Sequence, residues 1–335
     1  MNRRAFLATA TCGLATASAS AQAPVGAGRF DAAAAYSAER SGATFVVSRH
    51  GIILDERYEP GFAPTTLLPI GAGTRALAPL LVASLIEDGL MRLDEGAAQT
   101  FTEWTTHPLK NMISVRGLLN GTSGIAFGDN ASGGVADAIA LEPVAPPGER
   151  FIEDRAPFVL LAEIARRKLE TAGRTSDPAL YLANHTLEPI GCLPISWTRG
   201  IDGAASFYDG VALTGRGWAQ VGELLRREGV WQAQQIVSAA ALREALQGTY
   251  AAPRVGMGLW LAAASARDND TPQHDSDLWR MNPPAPQDLA MAAGAGGQRL
   301  YIIPSEHLVV VRQSRDANAR NWSDARFLDL VSNDL

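Results

Sequence analysis

Apolar, β-rich runs lie near both ends of the chain, and helical patterns fill the region between them. Near the N-terminus, residues 44–49 (TFVVSR) and 52–58 (IILDERY) flank His50-Gly51, which predicts a hairpin. Three further runs near the C-terminus predict strands at 256–262 (GMGLWLA), 299–303 (RLYII) and 307–313 (HLVVVRQ). Strands at both ends imply one sheet built from the two termini, with a helical lobe inserted between them.

The helical region begins with an apolar segment at 76–90 (ALAPLLVASLIEDGL), which predicts a buried helix that Gly89 can terminate. Further helices are predicted at 113–120, 158–168, 179–187, 216–228 and 324–331. We therefore expect an α/β lobe made of residues 24–75 plus 196–335, and a helical lobe at 76–195. The polar, irregular stretch 264–287 predicts a surface loop near the mouth of any cleft.

The first 23 residues have the pattern of an export signal. Arg3-Arg4 precede a short apolar stretch, and small residues crowd the Ala19-Ser20-Ala21 site. The paired arginines are similar to a twin-arginine signal, with ordinary secretion as the alternative. The apolar run is too short and too interrupted for a membrane span. A periplasmic or secreted protein without a membrane anchor is the expectation.

Charge and cysteine content narrow the function classes. The signal carries two arginines and no acidic residue, so its removal changes the net charge from −6 to −8. A negative chain is a poor partner for nucleic acid or an anionic membrane. Cys192 then has no disulfide partner, and its apolar neighbours favour a buried structural thiol over a reactive one.

Four local motifs occur in an order that carries a family resemblance. The stretch 68–75 (LPIGAGTR) leads into the helix ending in Glu87-Asp88-Gly89, and 113–125 (ISVRGLLNGTSGI) contains a Thr-Ser-Gly turn. Downstream lie 147–151 (PGERF) and 294–304 (GAGGQRLYIIP). In this order the motifs resemble the β-lactamase-related serine hydrolases, which include class C β-lactamases, penicillin-binding esterases and nylon-oligomer hydrolases.

The resemblance implies the α+β fold of β-lactamases and penicillin-binding proteins, an antiparallel sheet flanked by helices with an inserted all-helical lobe. It also implies an acyl-enzyme mechanism that needs Ser-x-x-Lys and Tyr-x-Asn motifs. This sequence departs from both motifs. Ala72 stands at the serine position and Arg75 at the lysine position, while Glu153 and Arg155 stand at the tyrosine and asparagine positions.

These replacements remove the acyl-transfer chemistry. An alanine methyl cannot attack a carbonyl, and a guanidinium stays protonated and has no lone pair with which to accept a proton. The two lysines, Lys110 and Lys168, are preceded at the third position by His107 and Ala165, so Ser-x-x-Lys occurs nowhere. Loss of such a nucleophile typically costs about a million-fold in turnover.

Part of the site does not depend on those side chains. The resemblance implies an oxyanion hole of backbone N–H groups, here those of Ala72 and Ala295 or a neighbour. Gly294, Gly296 and Gly297 allow that loop to approach a ligand closely.

The replaced side chains also suggest an interaction of their own. The lysine and tyrosine of the family face each other, so we expect Arg75 and Glu153 to form a charge-assisted pair. Separate drift of both residues toward solvent is the alternative.

Other side chains that could carry chemistry have sequence contexts that favour structural roles. We expect Thr74 to point away from the pocket, Ser123 to serve the Thr-Ser-Gly turn and none of the five histidines to belong to a triad. The oxygen-rich stretches 268–270 and 274–277 fit no metal motif, so no metal and no cofactor is predicted. Among four tryptophans considered for the cleft, Trp279 is the pocket candidate because it lies in the polar loop.

The sequence therefore predicts an exported pseudoenzyme that recognises a ligand. Arg75 and Arg155 would favour a small anionic or peptide-like ligand, unless Glu153 already neutralises one of them. A hydrolase with a relocated nucleophile and a structural protein with a closed pocket are the alternatives.

Overall fold

The central feature of the protein is a six-stranded antiparallel sheet. The computed structural model describes residues 28–128, 133–262, 276–281 and 284–335. The sheet joins two N-terminal strands to four C-terminal ones, so the α+β fold built from both termini is confirmed. The strands of this sheet are β1 (Gly42–Arg49), β2 (Ile52–Tyr58), β8 (Trp260–Leu261), β9 (Ala290–Gly294), β10 (Gln298–Ile303) and β11 (Leu308–Ser314). Across the sheet they lie in the order β2-β1-β11-β10-β9-β8.

Helices cover both faces of this sheet because its strands are apolar on both sides. Along β1, Val46 packs in one core cluster while Phe45 and Val47 pack in another, as the two-residue period of a strand requires. The helices are α1 (Asp31–Ala38), α2 (Ala78–Glu87), α3 (Val115–Leu119), α4 (Val135–Ala140), α5 (Ala156–Thr171), α6 (Pro178–Leu182), α7 (Gly215–Arg226), α8 (Ala239–Ala245) and α9 (Asp324–Ser332). Among the described residues, no helix is both long and apolar enough to cross a bilayer.

Helix α2 begins later than its apolar pattern predicts. Gly71–Leu77 forms a 3-10 turn, and the α-helix starts only at Ala78, with Pro79 in its first turn where no backbone N–H is needed. Gly89 takes a positive φ of 71° just past the end, which confirms its predicted role as terminator. The residues before α2 are therefore held in a tight turn at the edge of the helical region.

The predicted strand at 256–262 is the largest difference from the sequence pattern. Only Trp260–Leu261 pairs in the sheet. Gly258 has a φ of 73°, and a Cβ on it would lie 2.3 Å from the carbonyl oxygen of Arg75. The preceding segment therefore wraps closely past Arg75 instead of extending a strand.

Short strands were missed by the sequence pattern. The strand β9 next to the predicted β10 was not predicted, and neither was a second sheet in the order β3-β5-β4. Two paired dipeptides form a third sheet. The strands of these small sheets are β3 (Leu68–Pro69), β4 (Ile195–Trp197), β5 (Val211–Leu213), β6 (Val230–Trp231) and β7 (Gln234–Gln235).

Candidate functional site

A cleft of about 430 Å³ opens where the turn before α2 meets the loop that joins β9 to β10. The loop that leads into α9 forms its third side. The cleft is lined by Ala72, Arg75, Glu153, Ala293, Gly294, Ala295, Gly296, Gly297, Arg299, Ala319, Arg320, Asn321 and Trp322.

Ala72 lies in the cleft on a turn that is fixed to the second sheet. The backbone N–H of Ile70 donates to the carbonyl of Val211 at 3.0 Å, and the N–H of Val211 donates to the hydroxyl of Thr74 at 3.0 Å. Thr74 is fully buried and outside the cleft lining, as its predicted structural role requires. The turn therefore presents a methyl group, held in a defined place, to the cleft.

The predicted ion pair between Arg75 and Glu153 is present. Arg75 Nη1 lies 2.8 Å from Glu153 Oε1, and Arg75 Nε donates to the Ala72 carbonyl at 3.1 Å. The guanidinium also contacts two aromatic rings, with its carbon 5.3 Å from the centroid of Tyr208 and 5.5 Å from that of Trp260. Only 7% of the Arg75 side chain is exposed, against 31% for Glu153. The pair neutralises this wall of the cleft.

Arg155 is not brought to the same cleft. Its Nη2 donates to the carbonyl of Gly133 at 2.9 Å, and its guanidinium carbon lies 5.0 Å from the centroid of the Phe127 ring. It lines a different cavity, of about 280 Å³, beside α5. The two arginines expected to share one site therefore line separate cavities, and Arg155 is the N-cap residue of α5.

The loop with three glycines packs against the Ala72 turn as closely as backbone atoms allow. A Cβ on Gly294 would lie 2.2 Å from the carbonyl oxygen of Ile70 and 3.3 Å from the nitrogen of Ala72. A Cβ on Gly71 would lie 3.6 Å from the nitrogen of Ala295. The backbone nitrogens of Ala72 and Ala295, which are expected to form an oxyanion hole, therefore both lie beside this contact between the turn and the loop. Only glycine at 294 permits this approach.

Gly296 and Gly297 complete this loop with left-handed backbone. Their φ angles are 70° and 77°, values that side-chain-bearing residues rarely adopt. Both residues line the cleft, as the sequence predicted.

The third side of the cleft was missed by the sequence reasoning. Arg320 and Asn321 are exposed and line the cleft together with Trp322, whose Nε1 donates to Asp324 at 3.0 Å. Among the described residues, no hydrogen bond or ion pair to the Arg320 side chain is found, so its charge faces solvent. A polar run between the last strand and the last helix was the signal available in the sequence.

The described cleft lining contains no hydroxyl, thiol, amine or imidazole that could replace the missing serine, and its one carboxylate, Glu153, is held by Arg75. No serine, threonine, cysteine, lysine, histidine or tyrosine is among those residues. Both lysines lie elsewhere in ion pairs, Lys168 with Glu95 at 2.8 Å and Lys110 with Glu142 at 3.2 Å.

Serine, cysteine and histidine side chains considered from the sequence have structural positions. The hydroxyl of Ser123 accepts from the Ile125 N–H at 3.3 Å inside the turn. Burial raises the pKa of Cys192 to about 12, which fits the predicted structural thiol. His50 and His307 stack on each other with centroids 4.4 Å apart, outside the cleft lining.

Trp279 lies apart from the cleft, because it is not among the residues that line it. Trp279 packs against the core cluster between the sheet and α9, with the guanidinium of Arg254 5.2 Å from its ring centroid. Residues 268–270 and His274 lie outside the described residues. Among those described, no group of three or more metal-binding side chains is found.

Comparisons with known proteins give a family match and a set of similar folds. A family model described as Beta-lactamase matches residues 29–331. A solved family VIII carboxylesterase has a TM-score of 0.70 at 18% identity, covering 94% of this chain and 99% of its own. A penicillin-binding protein homologue from Caulobacter crescentus has a TM-score of 0.68 at 16% identity, covering 93% of this chain and 99% of its own.

A β-lactamase from Mycobacterium bovis has a TM-score of 0.60 at 19% identity, covering 87% of this chain and 93% of its own. No curated protein matches the chain. At these identities the solved structures show a shared fold.

Proposed function

Because the chain belongs to the β-lactamase family and its cleft offers no nucleophile, we propose that it is a family member that binds a ligand without acyl transfer. The observation that carries this proposal is the Arg75–Glu153 pair, which occupies the place of a proton relay at 2.8 Å. A guanidinium held this way cannot accept a proton from an attacking group. Binding through backbone N–H groups does not depend on that step.

The chemistry of the cleft favours an anionic, peptide-like ligand, although not through the two arginines that the sequence singled out. Arg75 is neutralised by Glu153 and Arg155 lies in another cavity. Arg320 is the cleft-lining cation with a solvent-facing charge among the described residues. Asn321 beside it supplies an amide that can both donate and accept. These groups match a peptide carboxylate and its neighbouring amide.

The open cleft also bears on the two alternatives to a binding role, which are a structural protein with a closed pocket and a hydrolase with a relocated nucleophile. A volume of about 430 Å³ is large enough for a small ligand and argues against a closed pocket with a purely structural role. A relocated nucleophile would have to come from residues that do not line the described part of the cleft.

The N-terminal sequence supports export to the periplasm or medium. Residues 1–23 contain an arginine pair followed by an apolar stretch, and they lie outside the described residues.

Covalent labelling tests the absence of acyl transfer. We expect neither a fluorophosphonate nor a penicillin to form an adduct with the wild-type protein, as measured by intact-mass spectrometry. The triple variant Ala72→Ser/Arg75→Lys/Glu153→Tyr restores the family's serine, lysine and tyrosine, although not the asparagine at position 155, and should gain an adduct. The double variant Arg75→Lys/Glu153→Tyr, which keeps Ala72, is the matched control and should stay unlabelled. A stoichiometric adduct on the wild-type protein would overturn the proposal.

Ligand binding is tested with acetyl-glycyl-glycine, a small peptide with a free carboxylate, by ligand-detected NMR at millimolar concentration. Arg320→Ala should weaken binding about tenfold while changing the free energy of unfolding by less than about 0.5 kcal/mol, because the side chain is exposed. Arg315→Ala, an exposed arginine nearby that does not line the cleft, should change neither. No binding by the wild-type protein at this concentration would count against a ligand of this class.

A further inference from the structure

A buried cluster of charges lies beneath the loop with three glycines. It contains two arginines and one carboxylate, Arg299, Arg312 and Asp324, and all three are almost completely buried. Arg299 Nε lies 2.7 Å from Asp324 Oδ1, and its Nη1 donates to the Gly294 carbonyl at 3.1 Å. The carboxylate is thus committed to one arginine.

Arg312 is the other arginine of this cluster, and it has no carboxylate of its own. It has 0% exposure, and no carboxylate of the described residues lies within ion-pair distance. Its Nη1 donates to the carbonyls of Gly296 at 2.6 Å and Gly297 at 2.8 Å, while its Nε has no hydrogen-bond partner. A buried cation without a paired anion is costly to stability, so its retention here calls for a role.

The position of Arg312 relative to the cleft suggests that role. The residue does not line the cleft, whereas Gly296, Gly297 and Trp322 do. Its guanidinium carbon lies 4.4 Å from the centroid of the Trp322 ring. Arg312 therefore contacts two sides of the cleft from the interior, one through carbonyl groups and the other through an aromatic ring.

The net charge of the buried cluster also indicates a role for Arg312 at the cleft. The fully buried groups are two guanidinium groups and one carboxylate, which leave one positive charge shielded from water. The next carboxylate, Asp277, accepts hydrogen bonds from the start of α9 and also acts on Arg299, but it is partly exposed, so water screens its charge. Burial raises the pKa of Tyr301, which donates to Asp324, well above its ordinary value, so that phenol adds no negative charge. In a low-dielectric interior, such a charge acts over longer distances than it would at the surface.

We propose that Arg312 is a positioning residue that holds the Gly296–Gly297 turn by its carbonyls and gives this side of the cleft a positive potential that selects a carboxylate-bearing ligand. This inference rests on the proposed binding function. In this proposal, the buried Arg312 and the exposed Arg320 both contribute to the preference for a carboxylate.

Two variants separate the charge of Arg312 from its hydrogen bonds. Arg312→Met removes both, whereas Arg312→Lys keeps the charge and loses the two-carbonyl contact. Arg226→Met is the matched control, since Arg226 is a partly buried arginine whose carboxylate partner, Glu223, lies on the same helix and outside the cleft lining. Thermal unfolding of each variant shows that it is folded under the assay conditions.

Acetyl-glycyl-glycine and its C-terminal amide are the binding probes. Arg312→Met should weaken binding of the carboxylate about tenfold and that of the amide less than about twofold, whereas Arg312→Lys should keep the wild-type ratio. A residue with a merely structural role would weaken both peptides equally, and that result would overturn the assigned selectivity.

Hydrogen exchange of residues 293–298, followed by mass spectrometry, tests the positioning role without any ligand. Both Arg312 variants should raise the exchange rate of this segment about tenfold, and Arg226→Met should leave it unchanged. Unchanged exchange in Arg312→Met would overturn the positioning role. If the wild-type protein binds neither peptide, the proposed function fails, while the exchange result still decides what Arg312 does.

Discussion

The two walls of the cleft differ in what they have kept of the family's chemistry. The side-chain wall (Ala72, Arg75 and Glu153) has a different residue at every reactive position implied by the resemblance. The backbone wall (Gly294 to Gly297) keeps the close contact that a Cβ would destroy, at 2.2 Å from the Ile70 carbonyl. Chemistry that belongs to side chains can be lost by substitution alone, whereas chemistry that belongs to backbone is lost only if the loop changes shape.

The walls also differ in how they are stabilised. The side-chain wall depends on a partly exposed ion pair and two aromatic contacts. The backbone wall depends on charges that are nearly fully buried. Substitutions beneath the backbone wall should therefore affect stability more than substitutions in the side-chain wall.

The largest expected effect comes from Asp324, beneath the backbone wall. Asp324→Ala leaves Arg299 buried without its carboxylate, which should lower the free energy of unfolding by about 3–5 kcal/mol in urea titrations. Asp329→Ala on the same helix removes an exposed ion pair with Arg326 and should cost no more than about 1 kcal/mol. Equal losses in the two variants would remove the difference between the walls.

An acid titration isolates the charge of Asp324. Burial alone would raise the pKa of this carboxyl, but Arg299 and the hydrogen bonds of the cluster hold it at about 2, below its ordinary 3.8. The folded state therefore favours the ionised form, and this stability is present above pH 4 and is lost as the pH falls toward 2.

The loss over that range should be about 2 kcal/mol in urea unfolding measured at successive pH values. The Asp324→Asn variant should not show this loss of unfolding free energy between pH 4 and pH 2, whereas Asp329→Asn should show it. A loss of the same size in Asp324→Asn would assign the acid sensitivity to other carboxylates.

The smallest effect is expected in the side-chain wall. A double-mutant cycle with Arg75→Met and Glu153→Gln should give a coupling energy of about 1 kcal/mol, because Glu153 is partly exposed and water screens the pair. Urea unfolding of the four proteins measures it. A coupling indistinguishable from zero would mean that the two replacements do not depend on each other.

The sequence predicted the features that follow from period and from motif order. The hairpin around His50-Gly51, the sheet built from both termini and the Arg75–Glu153 pair all rest on local patterns or on facing positions implied by the family resemblance. The division of the chain at residues 75/76 and 195/196 into two lobes stays a prediction.

What the sequence did not predict depends on contacts between distant segments. Strand β3 is two residues long, too short to show a period, and it forms only because β5 pairs with it. The run around Gly258 has a strand's composition, yet its backbone is bent past Arg75. Arg320 enters the cleft because Asp324 and its partners fix the start of α9, which no motif reveals.

The burial of Cys192 has a practical consequence for following the cleft. Its thiol is fully buried and donates to the Gly217 carbonyl, so reagents in solution do not reach it in the folded protein. In a protein that begins at residue 28, a cysteine placed at position 72 would be the sole accessible thiol. A spin label or fluorophore on this Ala72→Cys variant would then report on the side-chain wall of the cleft alone, with Cys192 left in place.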